Sequence, residues 1–271
     1  MKIKHKYELT RSDDCSPEKI IDIILKNRGI KNKKGLISPL SPLKIKLTDF
    51  GFKRQITNTL RLLTKIKRNG GMIVVYTDYD ADGITGGAIL WETLYLLGFK
   101  VMPYVPHRKH EGYGFSKIGI DNIKKTYNPS LIISVDHGIT ASEKITYAKS
   151  LNIEVIVTDH HLKSEKFPTN AYAVFHISDL SGSGVAYFFA KEIFNHFKND
   201  KNSNSKQLGT NFSSDYLILA TIGTIADLVP LIGPCRSLAK YGLNAFSAID
   251  RVGLKHILRD AGILGKKISP Y

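Results

Sequence analysis

The spacing of hydrophobic positions changes near residue 70. Before it, apolar residues recur at helical intervals in Pro17–Lys26 and again from about Phe50 to Arg68. After it, short β-branched runs alternate with longer helical patterns, and the strand-like runs are Met72–Tyr76, Val101–Val105, Leu131–Val135 and Val155–Val157. Strands and helices alternating at this spacing predict βαβ units. The expected fold is therefore α/β, with a doubly wound, mostly parallel sheet.

The remaining pattern predicts further helices and two irregular segments. The helical stretches are Ile84–Leu97, Lys117–Thr126, Ala141–Leu151, Gly184–Phe197, Asp215–Ala226, Arg236–Phe246 and Gly253–Leu258. Leu36–Leu43 contains two prolines and predicts a loop or extended linker, and the polar stretch Asn199–Ser214 predicts a mobile loop. We therefore expect a helical, basic N-terminal extension (1–69), an α/β domain (70–232) and a helical connection (233–271).

Acidic and imidazole side chains follow three of the predicted strands. Asp78, Asp80 and Asp82 follow the first, Asp136 follows Leu131–Val135, and Asp159-His160-His161 follows Val155–Val157. Carboxyl ends of parallel strands share one edge of a sheet, so these groups should converge there. Two carboxylates about 5 Å apart repel by roughly 3 kcal/mol at an effective dielectric near 20. The cluster therefore predicts bound cations, and its oxygen-rich donor set suits Mn²⁺ or Mg²⁺, as two ions acting on a phosphoryl group.

Each motif also has a simpler interpretation. Asp78 to Gly83 could open a calcium-binding EF-hand loop, but its twelfth position would be Ile89 instead of glutamate, and a strand precedes it. The same acids could form an ordinary turn and helix N-cap. Asp136 could be a turn residue, and the two histidines a hydrogen-bonded loop pair. Asp227 lies within the otherwise apolar helical stretch Leu217–Leu228, where a buried lone carboxylate is costly and either a metal or an interior hydrogen bond would explain it. The three motifs together favour the metal interpretation.

Charge adds a polyanion to the possible partners. Lysine and arginine total 39 against 24 acids, a formal net charge of +15. Such a balance favours nucleic acid, although a solvated basic surface would look the same. No apolar run approaches the roughly 20 residues of a membrane span. The two cysteines, Cys15 and Cys235, form neither a metal cluster nor a disulfide framework, and a reducing cytoplasm is the expected location.

Four motifs, in the same order along the chain, resemble those of the DHH phosphoesterase family. Their residues match those of its RecJ branch. They are Asp78-Tyr79-Asp80-Ala81-Asp82-Gly83, Val135-Asp136-His137-Gly138-Ile139, Thr158-Asp159-His160-His161 and Gly223-Thr224-Ile225-Ala226-Asp227-Leu228-Val229-Pro230-Leu231. Shorter similarities lie at Lys26–Ile30, Pro106–Arg108, Glu111–Gly114 and Ser183–Ala186. The resemblance covers nearly the whole chain. It implies a metal-dependent 5′-to-3′ exonuclease of single-stranded DNA, acting in DNA repair and recombination.

The resemblance also assigns roles. Asp80 would bind a first metal, and Asp78 would assist it. Asp82 would bind a second metal, and His160 and Asp227 would complete that site. Asp136 would bridge the two ions. The resemblance places His161 against the scissile phosphate and Asp159 where it orients its neighbours, with a metal-activated water as nucleophile. The expected substrate-binding residues form one loop segment: His107, Arg108, Glu111, Gly112, Tyr113 and Gly114.

Departures from the family pattern leave alternatives open. Tyr76 stands where many DHH enzymes have a histidine, and His176-Ile177 stands where Asn-Pro is common. Proteins of the RecJ branch continue into a second domain, so we expect this chain, ending at Tyr271, to be a fragment. The alternatives are a DHH hydrolase of short oligonucleotides or cyclic dinucleotides, and a non-catalytic replication scaffold. The expected partners are single-stranded DNA and a single-strand-binding protein or a helicase, and no membrane is expected.

Overall fold

The computed structural model of the protein describes residues 16–163, 166–200, 204–266 and 268–269. The first fifteen residues of the predicted N-terminal extension, Cys15 among them, and the last two of the predicted C-terminal connection lie outside the described residues. The helices are α1 (Pro17–Asn27), α2 (Lys33–Ile37), α3 (Lys53–Arg68), α4 (Ala81–Leu96), α5 (Lys117–Tyr127), α6 (Ser142–Ser150), α7 (Gly182–Phe197), α8 (Ser205–Asn211), α9 (Asp215–Ala226), α10 (Gly233–Ala245) and α11 (Val252–Asp260).

Five parallel strands form one sheet in the order β2-β1-β3-β4-β5. They are β1 (Met72–Thr77), β2 (Lys100–Tyr104), β3 (Leu131–Val135), β4 (Glu154–Asp159) and β5 (Ala173–His176). β1 and β3 are buried almost throughout, as expected of central strands covered on both faces. The predicted α/β fold with a doubly wound sheet is confirmed. The strand order reverses between β1 and β3, where such sheets place their ligands.

Helices cover both faces of the sheet. One layer contains α3, α4 and α7, whose buried side chains share a hydrophobic core with β1, β3 and β5, and α9 packs on α4 and α7. The other layer contains α5 and α6, which pack on the opposite face. Among the described residues, none of the helices combines the length and apolar character needed to cross a bilayer.

A buried lysine fastens the N-terminal segment to the core. Lys191 of α7 donates hydrogen bonds to the carbonyl oxygens of Pro42 (2.6 Å), Leu43 (3.2 Å) and Ile45. The neighbouring Glu192 accepts one from the backbone N–H of Leu47 at 3.0 Å. These bonds satisfy polar groups of an irregular segment that would otherwise be buried without partners.

Two segments differ from the sequence prediction. The stretch predicted as a mobile polar loop, Asn199–Ser214, contains α8, which buries Leu208 together with the following Phe212. Because the stretch is rich in Asn and Ser, its two buried apolar residues, Leu208 and Phe212, did not predict a helix. The segment Leu36–Leu43 is not a plain linker either, since it includes the end of α2 and the start of a 3₁₀ turn, Pro42–Lys44. The helix α8 and the 3₁₀ turn are both short, and tertiary contacts stabilise them.

Candidate metal centre

Asp78 and Asp80 lie in the turn from β1 into α4. Asp80 is the N-cap of α4 and accepts a hydrogen bond from the backbone N–H of Gly83 at 2.9 Å, as the simpler sequence interpretation required. Asp78 is completely buried, and within the described residues neither of its carboxylate oxygens forms a hydrogen bond of acceptable geometry. Burial raises the pKa of Asp78 to about 6. A capped turn does not explain a second, unpartnered carboxylate, so Asp78 requires a further ligand.

Asp136 follows β3, next to the point where the strand order reverses. Its backbone has φ of 67°, a left-handed conformation that is uncommon outside glycine and best tolerated by asparagine and aspartate. The side chain is almost fully buried, and its Oδ1 atom has no hydrogen-bond partner. Burial and the neighbouring Asp82 raise the pKa of Asp136 far above its ordinary value. A strained turn that presents a buried carboxylate is typical of a functional position.

Asp159, the last residue of β4, orients the two histidines that follow it. Its Oδ1 atom accepts hydrogen bonds from the backbone N–H groups of His160 (2.7 Å) and His161 (3.1 Å), and lies 2.8 Å from Nδ1 of His161. Its Oδ2 atom accepts one from the backbone N–H of Ile139. Burial opposes ionisation of Asp159, but these hydrogen bonds outweigh it and lower its pKa to about 2. The same pairing raises the pKa of His161.

The N-terminus of α7 holds Asp82. The backbone N–H groups of Gly182 and Ser183 donate to its two carboxylate oxygens at 2.5 Å and 2.9 Å. A side chain at Gly182 would lie 2.3 Å from Oδ1 of Asp136, and one at Gly223 would lie 2.4 Å from Oδ1 of Asp82. The two glycines therefore permit the close approach of α7 and α9 to the cluster.

The potential ligand atoms form three overlapping groups, in each of which all atoms lie within 4.8 Å of one another. The groups are Asp78, Asp80 and Asp136; Asp82, His160 and Asp227; and Asp136, His160 and His161. Nε2 of His160 is central, at 3.2 Å from Asp136 Oδ1, 3.5 Å from Asp227 Oδ2 and 3.8 Å from Asp82 Oδ2. The fold thus brings together all six predicted metal-binding residues and His161. Which residue belongs to which ion stays a prediction.

The residues fit a divalent metal by their donor chemistry. Among the described residues, both oxygens of Asp78 are buried without a hydrogen bond, and Oδ1 of Asp136 and Nε2 of His160 are buried 3.2 Å apart without forming one. Leaving buried polar atoms without ligands is costly. Asp227 directly follows α9 and is partly exposed, so the prediction of an acid buried within that helix is wrong. Its Oδ2 atom lies 3.5 Å from Nε2 of His160, so it belongs to the cluster although 29% of its side chain is exposed. Burial raises its pKa as well.

The predicted substrate loop divides into two groups. Tyr113 reaches the cluster, with its hydroxyl 3.0 Å from Nε2 of His161, and Arg108 stacks on the ring of Tyr79 at 5.2 Å. His107 and His110 stack on each other at 4.4 Å.

Glu111, Gly112 and Gly114 stabilise the conformation of the loop itself. Glu111 accepts hydrogen bonds from the Tyr104 hydroxyl (2.6 Å) and the backbone N–H of His107 (3.1 Å), so its carboxylate fixes the loop. Gly112 and Gly114 adopt positive φ angles of 81° and 62°, which favour glycine.

Several supporting residues escaped the sequence prediction. Tyr76 donates a hydrogen bond from its hydroxyl to the carbonyl oxygen of Gly114 at 3.0 Å, so it stabilises the predicted substrate loop. His137 lies 3.0 Å from the carbonyl oxygen of Tyr76, and burial lowers its pKa to about 4. His176 lies 2.7 Å from the carbonyl oxygen of His161. The Ser-Gly-Ser-Gly run of residues 181–184, at the start of α7, was a usable sequence signal for Gly182, whereas the histidine contacts had none.

Comparison with known proteins shows which family the chain resembles. The model of the DHH family, N-terminal domain, matches residues 72–224. The chain is 34% identical over 251 residues to the single-stranded-DNA-specific exonuclease RecJ of Thermus thermophilus, covering 90% of this chain and 34% of that protein. It is 36% identical over 199 residues to RecJ of Bacillus subtilis, covering 70% of this chain and 23% of the relative.

A crystal structure of exonuclease RecJ bound to manganese superimposes with a TM-score of 0.67 at 33% identity. The match covers 86% of this chain and 56% of that one. The chain thus spans about a quarter to a third of the length of these two curated relatives.

Proposed function

We propose that this chain, which belongs to the DHH family, hydrolyses phosphodiester bonds of single-stranded DNA. Mn²⁺ or Mg²⁺ would bind at the strand-end cluster. The observation that carries the proposal is the convergence of buried ligand atoms of Asp78, Asp136 and His160 at one edge of the sheet, where none of them forms a hydrogen bond within the described residues. Similarity to single-stranded-DNA-specific exonucleases over most of the chain supports the choice of reaction and substrate.

The proposal divides the cluster between two ions. Asp80, with Asp78, would hold the first, and Asp82, His160 and Asp227 the second, with Asp136 shared. Bound Mn²⁺ or Mg²⁺ supplies Lewis-acid polarisation of a phosphoryl oxygen and makes water a stronger nucleophile at neutral pH. Because their oxygens already face one another within 4.8 Å, the carboxylates need little reorganisation to hold cations.

His161 would contact the scissile phosphate. Its Nδ1 atom is fixed by Asp159 at 2.8 Å, and its Nε2 atom lies at the rim of the cluster beside the Tyr113 hydroxyl. The raised pKa of the imidazole favours its protonated form, which can donate a hydrogen bond to a phosphoryl oxygen. Asp159 stays ionised and holds that orientation, since its own pKa is about 2.

The loop beside the cluster would bind an unpaired strand. Arg108 offers a guanidinium that can pair with a phosphate, and the half-exposed ring of Tyr113 offers a face for base stacking. Glu111 would hold the loop in place without touching substrate. The proposal therefore narrows the predicted contacts in this loop to Arg108 and Tyr113, with the glycines permitting a close backbone approach.

Further parts of the proposal concern context. The α/β domain of residues 70–232 would contain the complete metal centre, with 1–69 as an extension and 233–271 as a connection. A DNA substrate would place the protein in the cytoplasm of a bacterium. Proteins that bind or generate single strands, such as a single-strand-binding protein or a helicase, would be its natural partners.

The proposed function is tested by substrate comparison in Mn²⁺. Turnover is measured on a single strand of about 20 nucleotides, on the matching duplex, and on linear and cyclic dinucleotides. We expect the single strand to be cleaved, and the duplex at least tenfold more slowly. Preference for dinucleotides would identify a hydrolase of short substrates instead. Tight strand binding without hydrolysis of any substrate would identify a non-catalytic scaffold.

A further inference from the structure

A basic groove lies at the opposite end of the sheet from the metal centre. It has a volume of about 1090 Å³ and lies between α3 and the amino ends of four neighbouring strands. Gly71, Ser130, Glu154 and Tyr172 line it, each at or just before the start of β1, β3, β4 or β5. Three interstrand spacings make it about 14 Å wide along the sheet edge. The six residues of β1 separate the groove from the cluster by about 20 Å.

The charge of the groove comes from α3. This helix contains six lysines and arginines and no acid, and its Arg61, Lys65 and Arg68 line the groove together with His196. Lys67 is paired with Asp200 at 2.6 Å, but no carboxylate of the described residues forms an ion pair with Arg61, Lys65 or Arg68. The groove itself includes one carboxylate, Glu154. Three unpaired cations against one half-buried acid favour an anionic occupant.

An aromatic ring accompanies these cations. Tyr172 is 40% exposed in the groove, and its hydroxyl donates to the carbonyl oxygen of Asn58 in α3 at 3.3 Å, which holds the ring in place. Cations along a groove with an exposed, fixed aromatic ring are the features that bind single strands without sequence preference. An acidic protein segment would use the charges but would gain less from a ring that can stack on a base.

We propose that this groove is a second contact site for single-stranded nucleic acid, in which Arg61, Lys65 and Arg68 bind phosphates and Tyr172 stacks on a base. The inference rests on the proposed function for the identity of the strand. Four nucleotides at about 3.4 Å each span roughly 14 Å, less than the separation of about 20 Å, whereas a strand of about 20 nucleotides is long enough to contact both sites. The groove would thus favour long strands over short ones.

The test measures binding of the protein to a fluorescein-labelled thymidine 20-mer by anisotropy in EDTA, which prevents hydrolysis and separates the result from the proposed function. The triple variant R61Q/K65Q/R68Q should bind at least tenfold more weakly. Its salt dependence, the slope of log K against log salt, should fall by about 2, since each lost phosphate contact removes about 0.7. Hydrolysis of a four-nucleotide strand in Mn²⁺ should stay within twofold of the wild type.

A charge-matched control replaces Lys125, Lys144 and Lys149, which are exposed on α5 and α6, by glutamine. Equal loss of affinity in this control would overturn the proposal, because the effect would then be one of net charge. Unchanged binding by the R61Q/K65Q/R68Q variant would also overturn it.

Stacking is tested at Tyr172. The Tyr172→Ala variant should lose about fivefold in affinity with an unchanged salt slope, and Tyr172→Phe should restore binding. Competition by poly-glutamate as effective as by an unlabelled thymidine strand of equal charge would overturn the assignment, in favour of an acidic protein partner.

Discussion

Replacing Asp136 by asparagine should leave the metal-free protein at least as stable as the wild type while abolishing its stabilisation by Mn²⁺. Asparagine keeps the size of the side chain and tolerates the left-handed backbone at this position, where φ is 67°. The carboxylate of Asp136 lies within 4.8 Å of those of Asp78 and Asp80. Each such pair repels by roughly 3 kcal/mol at an effective dielectric near 20. Protonation relieves part of this in the metal-free wild type, so the expected gain is about 1 to 3 kcal/mol.

In the presence of Mn²⁺, the wild type should become more stable than Asp136→Asn. A ligand that binds only the folded state at about 100 times its Kd adds roughly 2.7 kcal/mol to the free energy of unfolding. For a chain of this size, that raises Tm by about 5 to 11 °C. We expect this rise for the wild type and for the control Asp260→Asn, whose side chain is exposed on α11. Asp136→Asn should show almost none.

The assay is thermal unfolding of the three proteins by calorimetry, in EDTA and in a Mn²⁺ titration. An equal Mn²⁺ shift in Asp136→Asn and the wild type would refute the assignment of Asp136 as a ligand. A fall of several degrees for Asp136→Asn in EDTA would refute the argument that the cluster is strained by its own charge.

Other perturbations test neighbouring parts of the account. His160→Ala should lose both Mn²⁺ affinity, measured by titration calorimetry, and turnover, whereas His161→Ala should lose mainly turnover; equal loss of affinity would remove the division between them. Gly182→Ala should lose Mn²⁺ affinity at least tenfold because its methyl group would meet the neighbouring carboxylate, whereas Gly253→Ala, in open space, should bind normally. Lys191→Met should lower the free energy of unfolding in urea by about 2 to 3 kcal/mol, because three buried carbonyl groups lose their donor; a change under about 0.5 kcal/mol would contradict that anchoring role.

The sheet and the members of the cluster were predictable from sequence because local patterns encode them. Buried parallel strands read as short β-branched runs, and Asp78, Asp136 and Asp159 lie at or just after the ends of such strands. The parallel topology then forces their convergence, whatever the length of chain between them.

The supporting contacts were not predictable because they join residues far apart in sequence. The backbone of Gly182 binds Asp82 across about 100 residues, and the partner of His176 is a carbonyl oxygen, which any residue type could supply. The resemblance placed Glu111 among the substrate-binding residues, and its hydrogen bonds to Tyr104 and to the backbone of His107 could not be predicted from sequence. The helix α8 was missed because Leu208 and Phe212 are isolated apolar residues in an otherwise polar stretch, and the packed core shows that both are buried.

The most direct test of the central claim is single-turnover hydrolysis of a labelled single strand with the protein in excess over substrate. The account predicts cleavage by the wild type in Mn²⁺ and a rate at least about 100-fold lower in EDTA or in Asp136→Asn, as expected when metal ions supply several kcal/mol of transition-state stabilisation. Cleavage at the wild-type rate in EDTA, or by Asp136→Asn in Mn²⁺, would contradict it.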